Sequence, residues 1–199
     1  MTIRAVYFDL GGVILRTEDK GPRTELAQSL GLDYAGMDQA VFGPASIDAS
    51  IGAMSEEQHW RNVVRAFNLP ESEVARVRQA FFAGDRIDYN IVDFLRSLRP
   101  TYKIGLISNA WSGLREWIIA QKIDDAFDHL TISAEFGSGK PEPDIYRHAL
   151  AQFNVRPEEA VFVDDMPANV AAANALGMHG ILFKTAEQTI DELKTLLAA

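Results

Sequence analysis

The sequence predicts an α/β fold: a doubly wound parallel sheet interrupted by an inserted block of helices. Three observations predict it. Short apolar runs without polar alternation occur at residues 3–8, 103–107, 160–163 and 180–183, the pattern of strands buried on both faces. From about residue 100 onward such runs alternate with helical segments, as in βαβ units. Between residues 22 and 84 four helical patterns follow one another with no strand among them.

Each element has its own signals. The first run ends Val-Tyr-Phe and is followed by Asp9 and the pair Gly11-Gly12. Helical patterns then cover 24–30, 34–42, 56–67 and 72–82. Ser55 with Gln58 makes a capping box for the third, and Leu69-Pro70 separates it from the fourth. The run 103–107 leads into Ser108-Asn109, and a weaker strand is read at 130–132. Pro141 and Pro143 open a helix whose Ile145, Leu150 and Phe153 face the sheet, and Pro157 shuts it off from the next strand. The run 160–163 ends in Asp164-Asp165. Pro167 then opens an alanine-rich helix, 169–176, closed by Gly177. The expected organisation is a core of residues 1–15 and 85–199, with 16–84 inserted as a helical cap.

Bulk properties narrow the function classes. The chain has 199 residues, 47% hydrophobic, with a formal net charge of −9 from 28 acidic and 19 basic residues. An acidic surface repels nucleic-acid phosphates and anionic lipids, so neither is an expected partner. There is no cysteine, which removes disulfides, thiolate zinc sites and thiol catalysis and suits a reducing cytoplasm. Arg4 before apolar residues resembles the start of a leader, but Asp9 interrupts the run. No stretch reaches the ~18 apolar residues of a membrane span. The expectation is a soluble, cytoplasmic protein.

In open α/β sheets, functional groups gather where strands end. Asp9, Ser108-Asn109 and Asp164-Asp165 all stand at such ends, and Lys140 lies in a loop before a helix. Each alone has a plainer role. Asp9 is equally a turn residue, Ser108 or Asn109 a helix cap, the acidic pair a complement to a helix dipole, and Lys140 a solvated loop lysine. Together they are harder to dismiss. Three carboxylates at one edge call for a cation, and an oxygen-only donor set suits Mg²⁺. An amine beside them suits an anionic phosphoryl group. The chemistry inferred is phosphoryl transfer.

Four segments in order, Phe-Asp-Leu-Gly-Gly-Val, Ile-Ser-Asn, Gly-x-x-Lys-Pro and Val-Asp-Asp-Met-Pro-Ala-Asn, resemble the motifs of the haloacid dehalogenase-like superfamily. The resemblance spans Asp9 to Asn169, and the helical block falls where that superfamily inserts its type-1 cap. It is strongest to small sugar-phosphate phosphatases and to the phosphatase domain of soluble epoxide hydrolases. It implies that Asp9 attacks phosphorus and forms an aspartyl-phosphate. Mg²⁺ is then held by Asp9, the Gly11 backbone carbonyl and Asp165, with Asp164 in the outer shell. Ser108, the Asn109 backbone N–H and Lys140 hold the phosphoryl oxygens. The implied substrate is a small phosphorylated metabolite such as a sugar phosphate.

One position departs from the pattern. These phosphatases usually carry a second Asp two residues after the nucleophile, as the acid–base group; here it is Gly11. Two alternatives therefore stay open: a metal-free dehalogenase whose Asp attacks carbon, and a low-turnover phosphate- or Mg²⁺-binding pseudo-phosphatase. A phospho-receiver shares the Asp nucleophile, the acidic pair and the lysine. Receivers place the acidic pair before the nucleophile, the reverse of this order. His59, His129, His148 and His179 show no metal-ligand spacing. Trp111 reads either as pocket lining or as packing. Arg16, Thr17 and Glu18 read as solvent-exposed, with substrate contact as the alternative.

Overall fold

The computed structural model describes residues 2–198. Five strands form one parallel sheet: β1 (Ala5–Phe8), β4 (Lys103–Ser108), β5 (His129–Ile132), β6 (Ala160–Asp164) and β7 (His179–Leu182), in the order β5-β4-β1-β6-β7. All five were legible in the sequence to within two residues at either end. β1 lies at the centre, with Phe8 in register with Leu106 on one side and Val163 on the other. The chain builds outward from β1 through β4 to β5, then returns to add β6 on the opposite side. That reversal opens a crevice at the carboxyl ends of β1 and β6.

Side-chain alternation on the strands sorts the helices into two layers. Val6, Phe8, Leu106 and Val163 pack with Ile91, Val92 and Leu95 of helix Tyr89–Leu98 and with Leu193 of helix Ala186–Leu197. Ala5, Tyr7, Ile107 and Phe162 face the other way, onto Ile145, Tyr146, Ala149 and Leu150 of helix Pro143–Phe153. Phe153, half-buried, stacks on Tyr7 with ring centroids 5.4 Å apart. Each fully buried aliphatic or aromatic side chain contributes roughly 1.5–3 kcal/mol, so both faces of the sheet are sealed.

The segment between β1 and β4 builds a third core. Helices Gly21–Ser29, Tyr34–Phe42, Glu56–Ala66 and Val74–Phe82 bury Leu26, Met37, Val41, Trp60, Val64, Val77 and Phe81 among themselves. Ser55 caps the third helix as read from sequence, its Oγ accepting from the Gln58 N–H at 3.1 Å. The reciprocal half of the box is absent, because the Gln58 side chain donates to Asn62 instead.

The sequence reading missed two short strands, β2 (Leu15–Thr17) and β3 (Asp85–Ile87), which pair antiparallel where the chain leaves and re-enters the core. Three residues are too few to show a period, and polar Arg16, Thr17, Asp85 and Arg86 hide the pattern. Arg16 and Thr17 are correspondingly not the solvent-exposed residues expected. The Arg16 guanidinium donates to Asp88 at 2.8 Å, and the Thr17 hydroxyl to Asp85 at 2.6 Å. Asp85 also accepts from Arg23 at 3.1 Å, and the Arg23 guanidinium lies 3.9 Å from the Phe81 ring centroid. This ribbon is tied to the helical block by a buried cation.

Candidate active site

Asp9 continues β1 by one residue, its N–H donating to the Val163 carbonyl at 2.9 Å. That bond fixes the carboxylate at the mouth of the crevice. One of its oxygens accepts from the Leu10 N–H at 2.7 Å and lies 2.9 Å from the Lys140 Nζ. Lys140, in isolation a solvated loop lysine, is buried here, with its side chain 1% exposed. The same amine sits 2.6 Å from Asp164 Oδ2. Asp164 ends β6 and is fully enclosed: its oxygens also accept from the Met166 N–H at 2.8 Å and from Asn169 Nδ2 at 3.0 and 3.1 Å. A buried carboxylate with every lone pair occupied holds its neighbours in place and has little left for a ligand.

Asp9, Asp164 and Asp165 each offer a carboxylate oxygen, and these lie within 4.8 Å of one another. Among the described residues they are the only such group able to hold a metal. Burial pushes Asp9 up to about 6, with Lys140 opposing the shift and Asp164 adding to it. Burial, with Asp164 beside it, also raises Asp165. Three carboxylates face one lysine, and Asp165 takes part in no ion pair among the described residues. The donor set is hard, all-oxygen and short of positive charge, which fits a small divalent cation such as Mg²⁺.

The loop after Asp9 shows why two glycines stand there. Gly12 has φ +77°, and a Cβ on it would come 2.1 Å from Asp165 Oδ2, so any side chain would evict that carboxylate. Gly11 differs. The bridge across this turn uses the Leu10 carbonyl, the Gly12 N–H and both backbone groups of Leu15, leaving the Gly11 carbonyl outside it. A Cβ at Gly11 would meet nothing within 4 Å.

Ser108 closes β4, buried and one strand away from Asp9. Asn109 has a role the sequence did not show. Its side-chain oxygen accepts from the Lys140 N–H and its Nδ2 donates to the Lys140 carbonyl, both at 2.7 Å. Thus Asn109 clamps the backbone of the loop that delivers the lysine. Asn169, which holds Asp164, was also missed as a site residue, although it closes the Val-Asp-Asp-Met-Pro-Ala-Asn segment. Among the described residues no histidine joins the metal-capable cluster; His59 is buried against Trp111 with ring centroids 4.5 Å apart, and His129 neighbours His148 at 6.2 Å. Trp111 packs on Phe42, His59 and Trp60. Clefts of about 300 and 430 Å³ lie at Trp60–Arg78 and at His179–Leu196. Neither is lined by a carboxylate of the cluster.

Residues 3–177 match the sequence model of the haloacid dehalogenase-like hydrolases. The chain belongs to that family. Among curated relatives of this hydrolase, bifunctional epoxide hydrolase 2 of Mus musculus is 26% identical over 98% of the chain, which spans only 39% of that protein's length. The D-ribitol-5-phosphate phosphatase of Bacteroides thetaiotaomicron is 25% identical over 88% of the hydrolase and 89% of the relative. A solved structure of a family enzyme from Bacteroides thetaiotaomicron, in complex with magnesium and inorganic phosphate, superposes with a TM-score of 0.75. It covers 92% of this chain and 96% of its own at 21% identity, a likeness of fold. No helix among the described residues is long and apolar enough to cross a membrane.

Proposed function

We propose that this hydrolase is a Mg²⁺-dependent phosphatase that cleaves small phosphomonoesters through an aspartyl-phosphate on Asp9. The observation that carries this reading is a cluster of three carboxylates in which Asp9 and Asp164 share one buried lysine while Asp165 makes no ion pair among the described residues. Asp9, the Gly11 carbonyl and Asp165 would hold the cation, and Asp164 would act from the outer shell, its oxygens already engaged by Lys140, Met166 and Asn169. When bound, Mg²⁺ supplies positive charge that lets an anionic carboxylate approach an anionic phosphate.

The chain's own residues then have distinct tasks. Asp9 attacks phosphorus, and water later hydrolyses the acyl phosphate, dividing one hard displacement into two. Lys140, held by Asn109 and Asp164, stabilises charge on the transferring oxygens beside Ser108 and the Asn109 N–H. The helical block, residues 16–84, acts as a cap on the core of residues 1–15 and 85–199, hinged at the β2–β3 ribbon and excluding water when closed. A family resemblance to phosphatases of small metabolites supports the same reading, and the cysteine-free sequence suits a cytoplasmic location. Metal-free displacement at carbon leaves the unpaired Asp165 without a purpose. The test is hydrolysis of p-nitrophenyl phosphate with Mg²⁺ and with chelator. Activity should vanish on chelation and return with Mg²⁺; full activity in chelator would overturn the proposal.

A further inference from the structure

The four residues that follow Ser108 each find a different partner. The Asn109 side chain clamps the Lys140 backbone through two bonds of 2.7 Å. The Ala110 N–H donates to Ser133 Oγ at 3.0 Å, and the Ala110 carbonyl accepts from the Ala134 N–H at 3.3 Å. Trp111 then turns away from the sheet. Ala110 and Leu114, on either side of it in sequence, pack on the sheet core, whereas the indole packs on the core of the helical block. It stacks on Phe42 with ring centroids 5.6 Å apart and lies 4.5 Å from His59 and 5.8 Å from Trp60. Ser112 completes the series. Helix Glu56–Ala66 starts with N–H groups that have no partner inside the helix, and the Ser112 hydroxyl accepts the one from Glu56 at 3.0 Å.

A second contact supports the first. The short helix Ile47–Ser50 packs on the segment Ser133–Phe136, and a Cβ on Gly52 would come 2.1 Å from the Ala134 carbonyl oxygen. Ala134 is the residue whose N–H holds Ala110. The helical block therefore touches the loop after β4 at Trp111 and Ser112, and touches the brace of that loop at Ala134. Of these contacts the indole is the strongest. A hydrogen bond at exposed Ser112 largely replaces one to water, whereas an aromatic ring set among three others buries a large surface.

We infer that Trp111 is a positioning residue for phosphoryl transfer: seated in the helical block, it fixes the loop that carries Ser108 and Asn109, and through Asn109 it holds Lys140 against Asp9. The inference rests on the phosphatase reading and deepens it. Trp111 acts through Asn109 and needs no contact with the substrate. The helical block then contributes to the alignment of the phosphate-binding groups as well as to their cover, because withdrawing the indole frees the loop.

The experiment uses the full chain. It measures kcat and KM for acetyl phosphate at saturating Mg²⁺, and amide hydrogen exchange at Lys140 in the metal-free protein. Trp111→Ala should lower kcat about tenfold with KM changed less than about threefold, because misaligned donors cost most in the transition state. The Lys140 N–H, held by Asn109, should exchange about tenfold faster. Trp111→Phe keeps a ring among the aromatics and should retain at least about a third of the wild-type kcat. Phe42→Ala, at a side chain of the helical block that is 51% exposed, should lower kcat about threefold, and should add nothing once Trp111 is alanine. A folded Trp111→Ala protein with a lower thermal midpoint but unchanged kcat and Lys140 exchange would show that the indole only packs, which overturns the inference. Additive effects of Phe42→Ala and Trp111→Ala overturn it too. If Trp111→Ala does not fold, Phe42→Ala decides, and unchanged kcat and Lys140 exchange in that variant overturn the inference. No turnover of acetyl phosphate by the wild-type protein removes the phosphatase reading itself, and this inference with it.

Discussion

The inner and outer halves of the site are built on opposite plans. Inside, Asp9, Lys140 and Asp164 are buried and joined by contacts of 2.6 and 2.9 Å, with Asn109 and Asn169 bracing them from behind. Outside, Gly11 is exposed with empty space where a side chain would stand, and Asp165 is half-buried without an ion-pair partner among the described residues. The inner half is preorganised by the protein, so its geometry costs nothing at the moment of reaction. The outer half has unmatched charge and free volume, which suits groups that arrive from solution. The difference separates residues that make the nucleophile from residues that receive its partners.

Substitutions in the two halves should therefore fail in different ways. The largest effect is expected inside. Asp9→Asn keeps the shape and removes the nucleophile, so kcat for p-nitrophenyl phosphate should fall by at least about 10³-fold. Circular dichroism should be unchanged. Retention of even a tenth of the activity would mean that another group attacks phosphorus. An intermediate effect is expected outside. Asp165→Asn should weaken Mg²⁺ binding about 10- to 100-fold, read from the metal dependence of rate, while kcat at saturating Mg²⁺ falls far less. If kcat collapses with the metal affinity unchanged, the proposed division between the halves is wrong.

The two halves were also unequally legible in the sequence. The parallel strands announced themselves because burial on both faces leaves unbroken apolar runs, as at Val161, Phe162 and Val163. Asp9 and the acidic pair stood out because a carboxylate directly after such a run is costly to bury unless a counter-charge or a ligand meets it. What stayed hidden was pairing across the fold. Nothing near Asn109 reveals that it clamps Lys140, 31 residues away. Likewise the β2–β3 ribbon joins residues about 70 apart through one apolar and two polar pairs, too few to carry a periodicity. Gly12 was visible only as half of a doublet, and its reason, the approach of Asp165, is a tertiary contact.

Gly11→Asp sharpens the comparison by adding to the outer half what the sequence pattern lacks. The substituted carboxyl has room and Gly11 does not use the left-handed backbone region, so the variant should fold. Without a general acid the departing alcohol depends on its own acidity, and rates should fall steeply from aryl to alkyl phosphates. The new carboxyl should raise kcat on an alkyl phosphate up to about tenfold and change p-nitrophenyl phosphate less than twofold. That is below the usual ~10²–10⁴-fold worth of an evolved acid–base group, because nothing has shaped this pocket around it. Equal wild-type rates on alkyl and aryl esters, with chemistry limiting, would reveal an acid elsewhere in the site.

The smallest effect concerns stability and returns to the inner half. In the metal-free protein Asp9 is pushed up to about 6, from an ordinary value of 3.8, by burial first and by Asp164 as well. The folded state therefore holds the proton more tightly than the unfolded chain. Ionising Asp9 is harder in the fold, so its contribution favours folding below pH 4 and is lost as pH rises through 6. Asp9→Asn has no proton to lose. In chelator, its thermal midpoint relative to wild type should rise between pH 4 and pH 7. At 1.36 kcal/mol per pH unit, that window bounds the gain at about 3 kcal/mol, or several degrees for a chain of this size. Taking the difference between the variants cancels the titration of every other carboxylate that responds alike in both. Saturating Mg²⁺ should shrink or reverse the gap, since a cation favours the ionised carboxylate that Asn cannot supply. A gap that is flat with pH in chelator would mean that Lys140 already neutralises Asp9 fully, and that the inner half needs no further positive charge.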